Sequence, residues 1–123
     1  LKGIVGLVLP EIVEGHVFHQ YTIRLTKEFG VSRDEFISIL KGSGISSSVF
    51  YPVPIHMQEA YKEFNQLILP VTQKVALGVV SLPVHPLVEY DDLVKIVDVV
   101  KGINGSCVNK LKISKRISVE SND

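Results

Sequence analysis

Residues 46–61 read SSSVFYPVPIHMQEAY, and the rest of the chain is arranged on either side of this stretch. Pro52 and Pro54 each fix their own φ and disfavour helical backbone at the residue before them, so we expect an extended, stiff segment. At a rise of ~3.1 Å per residue, Tyr51 and His56 would lie roughly 15 Å apart along it. We therefore predict a rigid arm. On it the aromatic ring and the imidazole are too far apart to meet at one small atom, while their spacing allows contact with two ends of a long bound molecule. The alternative is a surface connection whose aromatic side chains seal a core edge.

Composition limits the class of protein. With 123 residues the chain suits one domain. Lys plus Arg and Asp plus Glu both total 13, so no global field attracts nucleic acid or an anionic membrane, and neither is predicted as a partner. Cys107 is the single cysteine, which excludes an internal disulfide and fits a reducing cytoplasm.

The amino-terminal segment reads as an incoming linker. Residues 1–15 contain three glycines and a proline between apolar residues, and we expect extended backbone near Val5–Leu9. The apolar run Leu1–Leu9 is too short to span a bilayer and has no charged leader or cleavage site. Because the chain also begins without methionine, we expect a piece of a longer protein.

Side chains alternate in character from His16 to Leu25. One face is apolar apart from a histidine and carries Val17, His19, Tyr21, Ile23 and Leu25. The other face carries His16, Phe18, Gln20, Thr22 and Arg24. This period of two predicts a strand with one buried face, on which His19 would be a core residue.

A capping box predicts the first helix. Ser32 and Glu35 have the spacing at which each side chain bonds the other's backbone amide, and Val31 and Phe36 occupy the hydrophobic-staple positions. We predict a helix over 33–41 that buries its apolar face and stops at Gly42 or Gly44 in left-handed conformation.

Weaker patterns fill in the remainder. We predict a short strand over 45–50, one or two helical turns over 58–64, and a strand over 80–84 that Pro83 places at an edge or an end. Pro70 suits the first position of a helix whose buried side would carry Val71, Val75 and Val79. A helix over 90–101 would bury Leu93, Ile96, Val97 and Val100 and end at Gly102.

These elements predict an α+β two-layer sandwich, with a small sheet of three or four strands packed against three or four helices. We assign residues 1–15 to the linker, 16–102 to the folded domain and 103–123 to a basic tail. Asn104-Gly105 indicates a turn. Beyond it, alternation interrupted by Lys115 leaves open an extra edge strand or a disordered end.

Three segments resemble one enzyme family. Tyr51–Tyr61 resembles the Y-P-x-P-x-H-x-Q-x-A-Y arm of the DegT/DnrJ/EryC1/StrS sugar aminotransferases, and His16–Arg24 and Ser81–Pro86 continue the match, so that it covers Leu1–Lys101. These are fold-type-I enzymes that use pyridoxal phosphate to aminate keto sugars carried on nucleotides. The resemblance implies the C-terminal small domain of such an enzyme, without the larger domain.

The resemblance also implies a pocket made by Tyr51, His56, Phe50 and Arg24. It implies that His56 faces the cofactor and the sugar; a loop histidine bonded to a carbonyl is the alternative. Tyr51 offers a flat face and a hydroxyl for a sugar ring or a phosphate oxygen. Phe50 stands where many relatives have histidine, which leaves open the nucleotide or sugar position recognised. Arg24 matches a family arginine and suits an anionic group, although a surface salt bridge explains it equally.

No catalytic residue is predicted in this chain. Transamination needs a lysine that forms a Schiff base and a carboxylate on the pyridine nitrogen, and the resemblance places both in the larger domain. Lys74 lies off the predicted apolar stripe and is expected to be solvated. We predict no metal site, since His16 and His19 would point to opposite faces of a strand.

The isolated chain is therefore expected to be inactive and not to retain pyridoxal phosphate. For the intact enzyme the resemblance implies a homodimer, a nucleotide-linked keto sugar and an amino donor such as glutamate. Loss of catalysis in favour of a regulatory role stays open. The alternatives are a stand-alone, non-enzymatic α+β module for ligand binding or oligomerisation, and nucleic-acid binding by the basic tail.

Overall fold

The computed structural model describes the backbone of residues 1–120 and the side chains of residues 1–105. In this part of the chain, three antiparallel strands form one sheet in the order β1-β2-β3, with bounds Leu7–Val8, Tyr21–Leu25 and Val79–Leu82. The α-helices are α1 (Arg33–Gly42), α2 (Pro70–Ala76) and α3 (Tyr90–Glu120). Short 3-10 helices cover Lys27–Phe29, Ile55–Met57 and Glu59–Phe64. The predicted α+β fold class is confirmed.

The core lies between the sheet and helices α1 and α3. Ile23 of β2 pairs with Val80 of β3, and both are fully buried. Phe29 and Phe36 meet edge to face, with ring centroids 5.5 Å apart. The buried cluster also contains residues of β2, β3, α1 and α3 and of the turn after α1: Leu25, Leu40, Ile45, Leu82, Ile96, Val100 and Ile103. Helices α1 and α3 packed against a small sheet give the expected two-layer arrangement.

Local sequence signals set the bounds of α1. The Ser32 hydroxyl accepts from the Glu35 amide at 3.2 Å, and the Ser32 amide donates to the Glu35 carboxylate at 3.4 Å, so the capping box is confirmed. Gly44 adopts a φ of 74°, which ends the helix as predicted. The Ile45 amide then donates to the Leu40 carbonyl at 2.9 Å.

Strand β2 is shorter than predicted and leaves His19 exposed rather than in the core. The Phe18 amide donates to His16 Nδ1 at 2.8 Å, and Phe18 has a positive φ of 46°. This local side-chain bond replaces a ladder bond, so the extended backbone begins only at Tyr21. The burial of Ile23 and Leu25 on one face agrees with the predicted alternation.

Two further predictions were wrong in part. The predicted strand over 45–50 is reduced to one bridge, in which Ser48 and Ser81 exchange backbone bonds of 3.1 and 2.7 Å. Val71 and Val75 are exposed, while Val79 is buried because it belongs to β3. Helix α2 ends at Ala76, so the four-residue spacing does not continue into Val79. Lys74 is exposed, as expected, and β3 ends just before Pro83.

Helix α3 does not end at Gly102 but continues to Glu120. The predicted turn at Asn104-Gly105 was therefore wrong, and so was the alternative of an edge strand in the tail. The Asn104 backbone is helical, and its side-chain amide donates to the Val5 carbonyl at 3.0 Å. A glycine inside a helix costs only about 0.5–1 kcal/mol. The basic side chains predicted for the tail, and Cys107, lie outside the described side chains.

The amino-terminal segment joins the sheet. Its extended part is confirmed at Leu7–Val8, which pairs with Leu25 and Arg24. Gly6 adopts a φ of 75°, and a Cβ there would lie 2.0 Å from the Phe29 amide nitrogen. Only glycine therefore permits this close approach of two backbones. The segment predicted to be a linker thus contributes an edge strand.

Candidate functional site

The proline-rich arm is not straight, because its backbone bends at Pro52 and Val53. Pro54 keeps φ −56° and ψ 146°, but a 3-10 helix follows at Ile55–Met57, where the Met57 amide donates to the Pro54 carbonyl at 2.9 Å. Proline restricts the residue before it and places no such restriction on the residues after it. The prediction that the arm stays straight through His56 was therefore wrong.

His56 is buried within this chain. It is 7 % exposed, and its Nε2 has no hydrogen-bond partner in the described part of the chain. The imidazole lines a hollow of about 410 Å³ whose other walls are Ile55, Tyr61, Phe64, Leu67, Leu69 and Thr72. Several of these apolar walls are themselves exposed, so the hollow opens to the surface. The sequence left open a loop histidine bonded to a carbonyl, but Nε2 makes no such bond in the described part of the chain.

Phe50 and Tyr51 lie on the surface. Tyr51 is 68 % exposed and Phe50 is 42 % exposed. Their rings meet edge to face, with centroids 5.7 Å apart. Neither lines the hollow at His56, so within this chain the two aromatic residues and the imidazole do not share one cavity.

Arg24 lies in a different place from the other predicted site residues. It is half-buried on β2 and lines a cavity of about 910 Å³ between the end of β2, the start of α1 and helix α2. This cavity shares no lining residue with the hollow at His56. The described side chains offer the Arg24 guanidinium no hydrogen bond and no ion pair, so the surface salt bridge considered from the sequence has no partner among them.

Neighbouring charges in this cavity are already engaged. Arg33 Nη1 donates to the Ala76 carbonyl at 2.7 Å, and its Nε contacts Asp34 at 2.8 Å. The pKa of Glu28 lies below its ordinary value, first because the Thr26 hydroxyl donates to its carboxylate. The positive charges of Lys74 and Lys27 lower that pKa further.

The chain also matches a known protein family over most of its length. Residues 1–101 match the DegT/DnrJ/EryC1/StrS aminotransferase family, which is more than half of the chain. The chain belongs to this family. The resemblance seen in the three motifs of the sequence is thereby confirmed.

Relatives in this family are much longer. The chain is 41% identical over 92 residues to the pleiotropic regulatory protein of Geobacillus stearothermophilus, a match that covers 70% of this chain and 23% of that protein. It is 36% identical over 104 residues to the UDP-N-acetyl-3-dehydro-alpha-D-glucosamine 3-aminotransferase of Acidithiobacillus ferrooxidans, with coverage of 81% and 27%. The chain therefore spans about a quarter of the length of these relatives.

Solved structures agree with the fold. A DegT DnrJ EryC1 StrS aminotransferase from Brucella abortus has a TM-score of 0.72 and 33% identity, and the match covers 85% of this chain and 27% of that one. The structure of ntda from Bacillus subtilis with bound cofactor PMP has a TM-score of 0.70 and covers 81% and 23%. At 24% identity the latter shows the fold alone.

The lysines of the described part of the chain lie away from His56. Every lysine among residues 1–105 is exposed, and none lines the hollow at His56. Within the same range no three His, Cys, Asp or Glu residues form a group that could hold a metal ion. Nor does any helix in the described residues have the length and apolarity needed to cross a membrane.

Sequence reasoning missed both cavities. Lys74 and Arg24 are fifty positions apart and meet only through the packing of α2 against β2. The hollow had one weak signal, the apolar run Leu67–Leu69 that precedes Pro70 and belongs to no predicted element.

Proposed function

We propose that this chain is the C-terminal small domain of an enzyme that transfers an amino group from an amino acid to a keto sugar carried on a nucleotide. The match to the aminotransferase family over residues 1–101 supports this. So does the activity for which the relative from Acidithiobacillus ferrooxidans is named. In this proposal the larger domain supplies the pyridoxal phosphate site, and this chain closes one side of the sugar site.

The observation that carries the proposal is the unpartnered His56 Nε2. A buried polar atom without a hydrogen bond costs about 1–3 kcal/mol, so such atoms normally meet a partner. His56 lies in a hollow with an open mouth and apolar walls, which suit the flat face of a sugar or a base. We infer that a polar group of the substrate, or of the larger domain that holds it, bonds this nitrogen.

Tyr51 and Phe50 would act beside that hollow. Their exposed rings, held edge to face, form a surface on which a sugar or nucleotide can pack. Because Phe50 has no polar group, it contributes shape and no hydrogen bond at this position. Arg24 is left out of this surface, since it lines the other cavity.

The intact protein would work in the cytoplasm as a homodimer, with glutamate as the amino donor. The chain alone would be inactive and would not retain pyridoxal phosphate, because its described lysines are all exposed. The partners of this domain would thus be its own larger domain, the nucleotide-linked keto sugar and the second subunit.

The experiment compares His56→Ala with His85→Ala in the protein that carries the larger domain. His85 is exposed and lines neither cavity, so it is a control of the same residue type. We expect His56→Ala to raise the KM for the keto sugar about 10-fold, since a buried polar partner left without its hydrogen bond costs about 1–3 kcal/mol. The half-reaction with glutamate should be unchanged. An unaltered sugar KM would contradict the proposal.

A second candidate function is regulatory. The relative from Geobacillus stearothermophilus is named a pleiotropic regulatory protein and is 41% identical. A family member of that kind would show no amination of any nucleotide-linked keto sugar, even with its larger domain present. A stand-alone binding or oligomerisation module would differ again, because it would fold and bind its ligand or assemble without any larger domain.

A further inference from the structure

The cavity at Arg24 concentrates positive charge. Four cationic side chains line it, and Glu28 is the one carboxylate among the described lining residues. The cations are Arg24, Lys27, Arg33 and Lys74. Since the whole chain has 13 basic and 13 acidic residues, this concentration is a property of the fold and not of the composition.

Arg24 is held in this cavity by the strand that carries it. Its backbone pairs with Val8 on one side and Val79 on the other, so β2 is fixed between two neighbours at this point. A Cβ at Gly78 would lie 3.1 Å from Arg24 Cγ and 2.4 Å from the Leu25 carbonyl oxygen. The missing side chain at Gly78 therefore leaves room for the stem of Arg24.

The other charged groups leave Arg24 without a partner. The Glu28 carboxylate accepts from the Thr26 hydroxyl, and Arg33 is bound to Asp34 and to the Ala76 carbonyl. Among the described residues the Arg24 guanidinium is therefore open to an anionic ligand. The N–H donors of arginine form a planar fork that matches two oxygens of a phosphate. The ammonium groups of Lys27 and Lys74 would balance the rest of the phosphate's negative charge.

We propose that this cavity binds a phosphate-bearing small molecule, at a site separate from the hollow at His56. Arg24 donates two parallel hydrogen bonds to phosphate oxygens, while Lys27, from the 3-10 helix after β2, and Lys74, from α2, neutralise the remaining charge. A volume of about 910 Å³ lies within the range of small-molecule pockets. A single carboxylate carries less negative charge than a phosphate and would match less of this positive charge. The proposal does not depend on the aminotransferase activity.

The test is titration calorimetry with inorganic pyrophosphate, on the protein as its gene encodes it. We expect saturable binding that weakens as salt is added. Arg24→Gln should weaken binding at least ~10-fold, the usual effect of losing charge-assisted hydrogen bonds. Arg24→Lys, which keeps the charge and loses the fork, should fall between the two. Lys41→Gln removes an equal charge from an exposed position outside the cavity and should change the affinity less than ~2-fold.

His56→Ala tests whether the two sites are separate, and it should leave the pyrophosphate affinity unchanged. A loss as large as that of Arg24→Gln would show one shared site and overturn the proposal. Absence of pyrophosphate binding, equal losses in Arg24→Gln and Lys41→Gln, or equally tight binding of succinate would also overturn it.

Should Arg24→Gln fail to fold, the double variant Lys27→Gln and Lys74→Gln decides, because both side chains are exposed. That double variant should also bind at least ~10-fold more weakly, and unchanged binding would overturn the proposal. The two proposals can fail independently, because a protein that binds pyrophosphate but does not aminate a sugar would contradict only the proposed function.

Discussion

Two regions of the molecule differ in how far they bury their apolar side chains. In the region made by the sheet, α1 and α3, the largest fully buried side chains cover one another: Phe29, Phe36, Ile23, Leu40, Val80 and Val100. In segment 50–77, only His56 and Ala76 are buried, while large apolar side chains from Phe50 to Leu77 are exposed. The first region thus buries its largest apolar side chains within the described chain, and the second leaves most of its own exposed.

This difference teaches where the rest of a longer protein would pack. Contiguous exposed apolar surface on a folded domain marks an interaction site. Segment 50–77 also carries the unpartnered His56 nitrogen and the exposed Tyr51 ring. The exposed apolar surface of segment 50–77 is thus the surface on which the proposed function depends.

The largest expected effect separates the two regions directly. Phe36→Ala should lower the free energy of unfolding by about 3–5 kcal/mol, since it empties a fully buried site. Phe64→Ala, in segment 50–77, should cost less than about 1 kcal/mol because that ring is 45% exposed. Urea unfolding of the chain measures both. Equal losses would remove the distinction between the regions.

A smaller effect sharpens the description of the first region. Gly6→Ala should destabilise the chain by about 3 kcal/mol, because it adds a clash with the Phe29 backbone to the strain of a positive φ. Gly3→Ala has a similar φ of 83° but open space around its Cβ, so it should cost only about 1 kcal/mol. Thermal unfolding of both variants isolates the clash. Identical shifts in melting temperature would contradict the close approach.

The capping box gives the next effect. Ser32→Ala should cost about 1 kcal/mol, because the Glu35 amide loses its acceptor. Ser38→Ala, at an exposed position inside the same helix, should be within about 0.5 kcal/mol of the parent. The comparison uses urea midpoints at constant slope. If Ser38→Ala cost as much as Ser32→Ala, the cap would not be the cause.

The smallest effect concerns the boundary between the regions, where Glu28 lies beside Lys74. Its pKa should be found below 4.5 in the folded chain, and Thr26→Val should raise it toward that value. A depressed carboxylate pKa adds stability that is present above pH 4.5 and is lost as the pH falls through the folded value. A carbon-detected NMR titration of Glu28 measures the shift. A Thr26→Val variant with an unmoved pKa would exclude the hydroxyl as its main cause.

Local patterns predicted the first region well. The capping box, the left-handed glycine after α1 and the alternation of Tyr21, Ile23 and Leu25 each involve neighbours in sequence, and each is seen in the structure. The failure over 16–20 has an equally local cause, the bond from the Phe18 amide to His16 Nδ1. That bond competes with the strand and has no clear signal in the sequence.

Segment 50–77 and the site were harder to predict. The family motif pointed to His56 and Tyr51, but the burial of His56 depends on residues 61–72 folding back over it. Arg24 and Lys74 reach one cavity only because α2 packs beside the end of β2. Such long-range packing leaves no mark in local spacing. The sequence therefore identified the residues of the site more readily than their grouping.

The most direct test of the central claim is hydrogen exchange, measured by mass spectrometry on the chain alone and on the protein that carries the larger domain. Amides of segment 50–77 should exchange quickly in the chain alone and be protected at least ~10-fold when the larger domain covers them. Amides of β2 and α1 should exchange at the same rate in both. Equal exchange of segment 50–77 in the two proteins would contradict the account, because that surface would then not be the one that meets the catalytic part.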